Sequence, residues 1–220
     1  MTILLFSLEP QRICLAMDTL CRDATVPEVA HNYCSKAVLL PHLHGVIAGT
    51  GLRSVIYDWA RCVQELTVAR DITMLDAIAS RELPRIFEAH AIDTDLTTTI
   101  YHFGFDKGAG SMVAFVYRST TDFASEQLPN SGIGIKPPDG IDAARASERL
   151  YEIGLPAWFI EVAQEQKKLD DLKSPPERVG VGGELQFIVL TPDVIQASTC
   201  FQFPDFETQF ADALLRSTRA

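Results

Sequence analysis

Near its start this chain has five residues that could take part in catalysis. They are Thr2 with its hydroxyl, Asp18 with its carboxyl, Lys36 with its amine, and two glycines, Gly49 and Gly51. Hydroxyls, carboxylates and amines serve in nucleophilic and acid–base chemistry, and backbone N–H groups at glycines bind developing anions. Taken singly, each also has a structural interpretation. The threonine begins a strand, the aspartate ends a hairpin, the lysine is a solvated edge charge, and the glycines supply unusual backbone angles before a helix.

Other constellations point to simpler roles. His42 and His44 have no acidic or cysteine neighbour to complete a metal site, so they predict a turn with exposed imidazoles. The Gly49–Gly51 pair lacks the third glycine and the βαβ setting of a dinucleotide site. Three serines have no evident histidine partner for a triad, namely Ser7, Ser35 and Ser54. We therefore expect neither a metal nor a cofactor.

Composition narrows the function classes. With 220 residues, 47% of them hydrophobic and 22% charged, the chain predicts one globular domain over residues 1–220. A formal net charge of −10 disfavours nucleic acid and anionic membranes as partners. The five cysteines are odd in number and show no CxxC spacing, which fits a reducing cytoplasm. The apolar start lacks a cationic region and is too short for a signal peptide, so we expect a cytoplasmic location.

Apolar periodicity divides the chain into groups of strands and pairs of helices. Strands are predicted at 2–8, 12–17, 36–40, 45–48, 96–105, 111–117, 131–136, 184–190 and 194–201. Helices are predicted at 55–68, 73–90 (with Asp71 as N-cap), 141–153, 156–172 and 206–215. Residues 22–32 are predicted to be a loop, and the charged run at 165–171 a solvated face. Two stacked, mainly antiparallel sheets between helix layers, a four-layer αββα sandwich of the α+β class, is the simplest arrangement that buries both faces of each sheet.

This order of elements resembles that of the proteasome β-subunit and the HslV peptidase, which belong to the N-terminal-nucleophile (Ntn) hydrolase superfamily. In that family a threonine is first in the mature chain, an aspartate follows sixteen positions later, a lysine opens the third strand, and a small-residue turn precedes a long helix. The matching residues here are Thr2, Asp18 within Ala16-Met17-Asp18-Thr19, Lys36 at the start of Lys36–Leu40, and Val46–Gly51.

The resemblance implies amide hydrolysis through an acyl-enzyme, with a peptide or small amide as substrate. Removal of Met1 would free the Thr2 amine to act as general base for the Thr2 hydroxyl. Lys36 would favour the deprotonated hydroxyl, Asp18 would hold Lys36, and the Gly51 or Gly49 N–H would bind the oxyanion. Family members stack into rings, so the resemblance also implies a homo-oligomer, and the sequence leaves any ATPase partner open.

Two departures from the family pattern support an alternative function. The family supports its threonine with a serine in a Gly-Ser-Gly turn and with an Asp-x-x-Ser-Gly before the last hairpin. This chain has Gly134-Ile135-Lys136 at the first place and Arg178–Gly183, with neither aspartate nor serine, at the second. The alternative is a catalytically silent homologue that acts as an oligomeric subunit or binding module.

Overall fold

A computed structural model describes residues 3–22, 30–90, 96–138, 140–174 and 177–217, and within them the chain mixes antiparallel sheets with five α-helices. The strands are β1 (Leu4–Glu9), β2 (Arg12–Asp18), β3 (Leu20–Arg22), β4 (Ala30–Tyr33), β5 (Ala37–Leu40), β6 (Gly45–Thr50), β7 (Thr99–Asp106), β8 (Ser111–Arg118), β9 (Glu126–Gln127), β10 (Gly132–Lys136), β11 (Glu184–Leu190) and β12 (Ile195–Gln202). The helices are α1 (Arg53–Glu65), α2 (Ile72–His90), α3 (Ala143–Ile153), α4 (Ala157–Asp171) and α5 (Phe206–Ser217). This is an α+β architecture, as the sequence predicts.

The strands form two five-stranded sheets and one two-stranded ribbon, and every pairing between them is antiparallel. The first sheet has the order β10-β1-β2-β11-β12, and the second has the order β5-β6-β7-β8-β9. The ribbon pairs β3 with β4. The hairpins predicted for β1–β2, β7–β8 and β11–β12 are confirmed, because consecutive strands separated by short turns pair directly.

Three apolar clusters form the core. In the first, side chains of β1, β2 and β11 pack with those of β6, β7 and β8, so apolar faces of the two large sheets meet; Phe6 lies against Tyr101 and Phe103. In the second, α1 and α2 cover the second sheet around Trp59. In the third, α3 and α4 cover the first sheet around Trp158. Strand alternation explains this division, since successive side chains point to opposite faces of a sheet.

Several local predictions can be judged against these bounds. Asp71 does cap α2, because its Oδ1 accepts a hydrogen bond from the Met74 N–H at 2.9 Å. The loop prediction for residues 22–32 was wrong where β3 and β4 lie, since only 23–29 fall outside the described residues. The prediction of a solvated face at 165–171 was wrong for Asp170, which is 4% exposed. The described parts of the chain contain no helix that combines the length and apolarity needed to cross a membrane.

Candidate active site

Asp18 lies at the end of β2 with its side chain fully buried. Its Oδ1 accepts hydrogen bonds from the Lys36 Nζ at 2.9 Å and the Ile3 N–H at 3.1 Å. Its Oδ2 accepts one from the Gly182 N–H at 3.3 Å. A buried carboxylate is costly without partners, so these donors stabilise it and draw three distant parts of the chain to one point.

Lys36 immediately precedes β5, and this position turns its side chain towards Asp18. The lysine side chain is 10% exposed and the aspartate side chain is 0% exposed, so the ion pair is shielded from water. Shielding strengthens the attraction between the two charges, because little water lies nearby to screen it. The structure therefore brings together two of the residues predicted for the site, Asp18 and Lys36.

The segment before β11 closes over the same region. Thr19 Oγ1 accepts a hydrogen bond from the Glu184 N–H at 2.8 Å, and the Thr19 N–H donates to the Glu184 carbonyl at 3.0 Å. Gly183 has φ +80°, and a Cβ there would collide with Thr19 Oγ1. Only glycine combines this backbone angle with such close contact, so the glycines of this segment allow it to approach Asp18.

Thr2 and Met1 lie outside the described residues, so the structure gives no position for the predicted nucleophile. The nearest described group is the Ile3 backbone N–H, which is joined to the Thr2 carbonyl carbon by the peptide bond. That N–H donates to Asp18 Oδ1. The described start of the chain is therefore fixed at the Asp18–Lys36 pair.

The two predicted oxyanion glycines lie at the end of β6 and just before α1. Gly51 has φ +103°, and a Cβ at this position would collide with the Thr97 carbonyl oxygen. Gly49 is packed between Ile56 and the Thr99 carbonyl, where a Cβ would come within 2.8 Å of both. Ala37 pairs with Ala48 in the β5–β6 ladder, so Lys36 and Gly49 are the next residues in register. The β5–β6 pairing therefore places Gly49 opposite Lys36.

Asp170 of α4 also organises this region, and residue types and spacing do not predict this role. Its Oδ1 accepts a hydrogen bond from the Val179 N–H at 2.7 Å, and its Oδ2 accepts from the N–H groups of Gly180 and Val181 at 2.8 and 3.2 Å. Asp170 therefore shapes the loop whose next residue, Gly182, donates to Asp18. The only indication in the sequence is the charged run at 165–171, in which the buried Asp170 stands beside exposed carboxylates.

The histidines take the positions expected of a turn, with one difference. His42 is exposed, but His44 is only partly exposed, and its Nε2 contacts the Thr191 carbonyl oxygen. The described residues contain no cluster of three or more His, Cys, Asp or Glu side chains suited to a metal ion. A groove of about 790 Å³ lies between α3 and α4, and its lining includes Arg145, Arg149 and Trp158 but neither Asp18 nor Lys36.

The sequence matches no protein-family model and no curated protein. Two solved structures align with almost the whole chain. Anbu (ancestral beta-subunit) from Yersinia bercovieri gives a TM-score of 0.63 at 12% identity, with 99% of this chain and 96% of that chain covered. An Anbu mutant from Hyphomicrobium sp. strain MC1 gives a TM-score of 0.62 at 12% identity, with 100% and 97% covered. At this identity the likeness shows a shared fold.

These neighbours correct the resemblance drawn from the sequence. The prediction that the relatives are proteasome β-subunits and HslV was wrong, since the matching structures are Anbu proteins, which are proteasome-like but distinct. The order of strands and helices, and the intervals between a few matching residues, are common to proteins of this fold. They do not distinguish one group of such proteins from another. The chain therefore shares the fold of these two Anbu structures.

Proposed function

We propose that this chain is an amide hydrolase, a peptidase or small-amidase, whose nucleophile is Thr2 after removal of Met1. The observation that carries the proposal is the buried Asp18–Lys36 pair, with the Ile3 N–H bound to the same carboxylate. An ammonium group held beside the chain start favours ionisation of a neighbouring hydroxyl. The α-amine of a terminal residue, with a reference pKa of about 7.7–8.0, is suited to act as general base near neutral pH.

In the proposed reaction the Thr2 amine takes the hydroxyl proton while the oxygen attacks the substrate carbonyl carbon. The tetrahedral oxyanion is bound by the Gly49 or Gly51 N–H, and removing such a donor from an enzyme typically costs about 2.7–4 kcal/mol of transition-state stabilisation. The leaving amine takes the proton, and the acyl group stays on the threonine oxygen. Water then hydrolyses the ester and regenerates the free hydroxyl.

The proposed function fits a four-layer αββα sandwich formed by one domain over the whole chain. The supporting observations are the three apolar clusters, one between the large sheets and one beneath each pair of helices. Such layering would hold the ends of β2 and β6 in fixed relation.

A second candidate is a catalytically silent subunit, and one sequence observation favours it. Neither Gly134–Lys136 nor Arg178–Gly183 contains a serine or aspartate that would orient the Thr2 amine. In this alternative the Asp18–Lys36 pair only stabilises the fold. We propose a homo-oligomer in either case, and light scattering that shows a monomer at micromolar concentration would contradict that part.

Intact mass of protein produced without an N-terminal tag separates the two candidates. A hydrolase should lack the mass of one methionine residue, and a threonine-directed electrophile should add to Thr2. The Thr2→Ala variant should neither be labelled nor cleave any member of a panel of peptide and small-amide substrates. Thr2→Ser should retain labelling, because it keeps the hydroxyl and the amine. Retention of Met1 in the wild-type protein would refute the hydrolase and support the silent subunit.

A further inference from the structure

Two cysteines distant from the proposed nucleophile in sequence meet beside the candidate site. Cys21 lies on β3 and Cys34 directly follows β4, and their sulfurs are 2.9 Å apart. The strand ladder that pairs Leu20 with Tyr33 brings them together, and the Cys34 N–H donates to the Thr19 carbonyl at 3.0 Å. All five cysteines lie among the described residues, and all are free thiols. The sequence gives no hint of this contact, because the spacing of thirteen residues matches no known thiol motif.

Cationic and hydroxyl groups surround the pair. Arg53 and Tyr57 lie one helical turn apart on α1, and both contact the chain beside Cys34. Arg53 Nη1 donates to Asn32 Oδ1 at 3.4 Å, and the Tyr57 hydroxyl donates to the Ser35 carbonyl at 2.7 Å. Lys36 lies two residues beyond Cys34. Both thiols are only partly buried, so small reagents can approach them. This is the kind of electropositive, accessible setting in which cysteines react.

The Cys34 pKa is lowered to about 5, first by the hydrogen bond from Cys21, and then by Tyr57, Lys36 and Arg53, against the opposing effect of burial. The Cys21 pKa is raised, because its proton is shared with the Cys34 sulfur and because burial disfavours its thiolate. The geometry divides the two thiols in the same way, because the Cys21 thiol donates to the Thr19 carbonyl at 3.8 Å, whereas Cys34 adjoins Ser35, whose carbonyl accepts from Tyr57, and precedes Lys36 by two residues. Oxidation of two thiols to a disulfide needs one thiolate that attacks the oxidant and a second thiol that resolves the sulfenic acid.

We propose that Cys21 and Cys34 form a redox-active dithiol that hydroperoxides oxidise to a disulfide, with Cys34 as the attacking thiol and Cys21 as the resolving thiol. The Cys34 thiolate attacks the peroxide oxygen, the O–O bond breaks, and the leaving hydroxide takes a proton, giving Cys34 sulfenic acid and water. The Cys21 sulfur then attacks the Cys34 sulfur, the S–O bond breaks, and a second water leaves with the Cys21 proton. Two thiols and one hydrogen peroxide thus give one disulfide and two waters.

The geometry suits this step. A disulfide bond is about 2.05 Å long, so the two sulfurs, now 2.9 Å apart, need to approach by only about 0.9 Å. The bond would join β3 to the residue after β4 and close the segment between them. That segment leads from Asp18 to Lys36, so oxidation would act next to the proposed catalytic pair. The dithiol chemistry itself needs no free Thr2 amine and stands whether or not the chain hydrolyses amides.

The first experiment maps the products of oxidation. Fully reduced protein is treated with hydrogen peroxide, remaining thiols are blocked, and peptides are identified by mass spectrometry. We expect a peptide pair linked through Cys21 and Cys34, with Cys14, Cys62 and Cys200 recovered as blocked thiols. In Cys21→Ser, dimedone should trap sulfenic acid at Cys34; in Cys34→Ser, it should leave Cys21 unlabelled. Oxidation of all five cysteines at similar rates, or dimedone labelling of Cys21 instead, would overturn the proposal.

The second experiment follows the pH dependence of iodoacetamide labelling at Cys34 in the reduced wild-type protein, read at the Cys34 peptide by mass spectrometry. With a pKa of about 5, the Cys34 thiolate fraction falls by only about a tenth between pH 8 and pH 6. Free cysteine, with a pKa of about 8.5, loses about 75-fold over the same range. The shape of the profile is the readout, because a low pKa also weakens the thiolate as a nucleophile. A Cys34 profile parallel to that of free cysteine would refute the assignment, and circular dichroism checks the folding of each variant.

Discussion

Replacing Lys36 by methionine tests whether the shielded ion pair at the candidate site stabilises the protein. Methionine preserves most of the length and apolar surface of the side chain and removes its charge. Asp18, which is fully buried, then keeps the Ile3 and Gly182 N–H groups but loses its cation at 2.9 Å. Breaking a buried pair by removing one partner typically costs about 3–5 kcal/mol, because the remaining charge is left uncompensated. The Asp18–Lys36 pair belongs at the lower end of this range, since two N–H groups remain.

We therefore expect Lys36→Met to lower the free energy of unfolding by about 3 kcal/mol, measured by urea denaturation with tryptophan fluorescence. For a chain of this length that corresponds to a fall in Tm of roughly 6–12 °C. The matched control is Arg12→Met, which removes a 2.7 Å pair with Glu9 whose side chains are 50% and 46% exposed. Exposed pairs contribute about 0–1 kcal/mol, so the control should change little.

The double variant Lys36→Met, Asp18→Asn completes a mutant cycle. Removing both charges leaves no buried carboxylate that has lost its lysine, so the double variant should be more stable than the sum of the two single changes predicts. Residues in direct contact usually show a coupling of about 0.5–3 kcal/mol, and we expect the upper half of that range. Equal losses for Lys36→Met and Arg12→Met, with additive effects in the cycle, would refute the view that burial gives this pair its strength.

Three further variants test other parts of the fold. Burial lowers the His102 pKa to about 3, so the unfolded chain binds a proton between pH 7 and pH 5 that the folded protein does not bind. The protein should therefore lose about 2 kcal/mol of stability over that range. Urea titrations should show no such loss in His102→Gln, whose side-chain oxygen can still accept a hydrogen bond from Trp59. Gly51→Ala should cost about 2 kcal/mol or more by the same measurement, because φ +103° and the Thr97 carbonyl both oppose a Cβ. Asp170→Ala should cost at least about 3 kcal/mol in urea, because it leaves three buried N–H groups without their acceptor.

The element pattern of the fold was largely predictable, because apolar periodicity is a local property. Hairpins such as β7–β8 and amphipathic helices such as α1 place their apolar residues at spacings that depend on near neighbours alone. The short strands β3 and β4 were missed for the same reason. They are three and four residues long, too short for a periodic apolar pattern, and only pairing with each other defines them as strands.

The candidate site was predictable only in part. The Asp18–Lys36 contact is one that the family resemblance implied, whereas residue types alone indicated a hairpin end and a solvated edge charge; the catalytic roles of both residues stay a prediction. The role of Asp170 depends on the return of a loop from 179 to 181, and the Cys21–Cys34 contact depends on a strand pairing, so neither has a local signal. Tertiary packing decides both cases, and a single sequence does not display it.

The two chemical pairs of this protein share one structural cause. Asp18 meets Lys36, and Cys21 meets Cys34, because the chain from 18 to 21 runs antiparallel to the chain from 33 to 36. Side chains alternate along paired strands, so a slip of one residue would move both pairs to opposite faces at once. The hydrogen bond from Cys34 N–H to the Thr19 carbonyl lies between the two pairs and fixes that register. Any covalent bond between Cys21 and Cys34 would therefore also lock the geometry of Asp18 and Lys36, which couples thiol oxidation to the candidate active site.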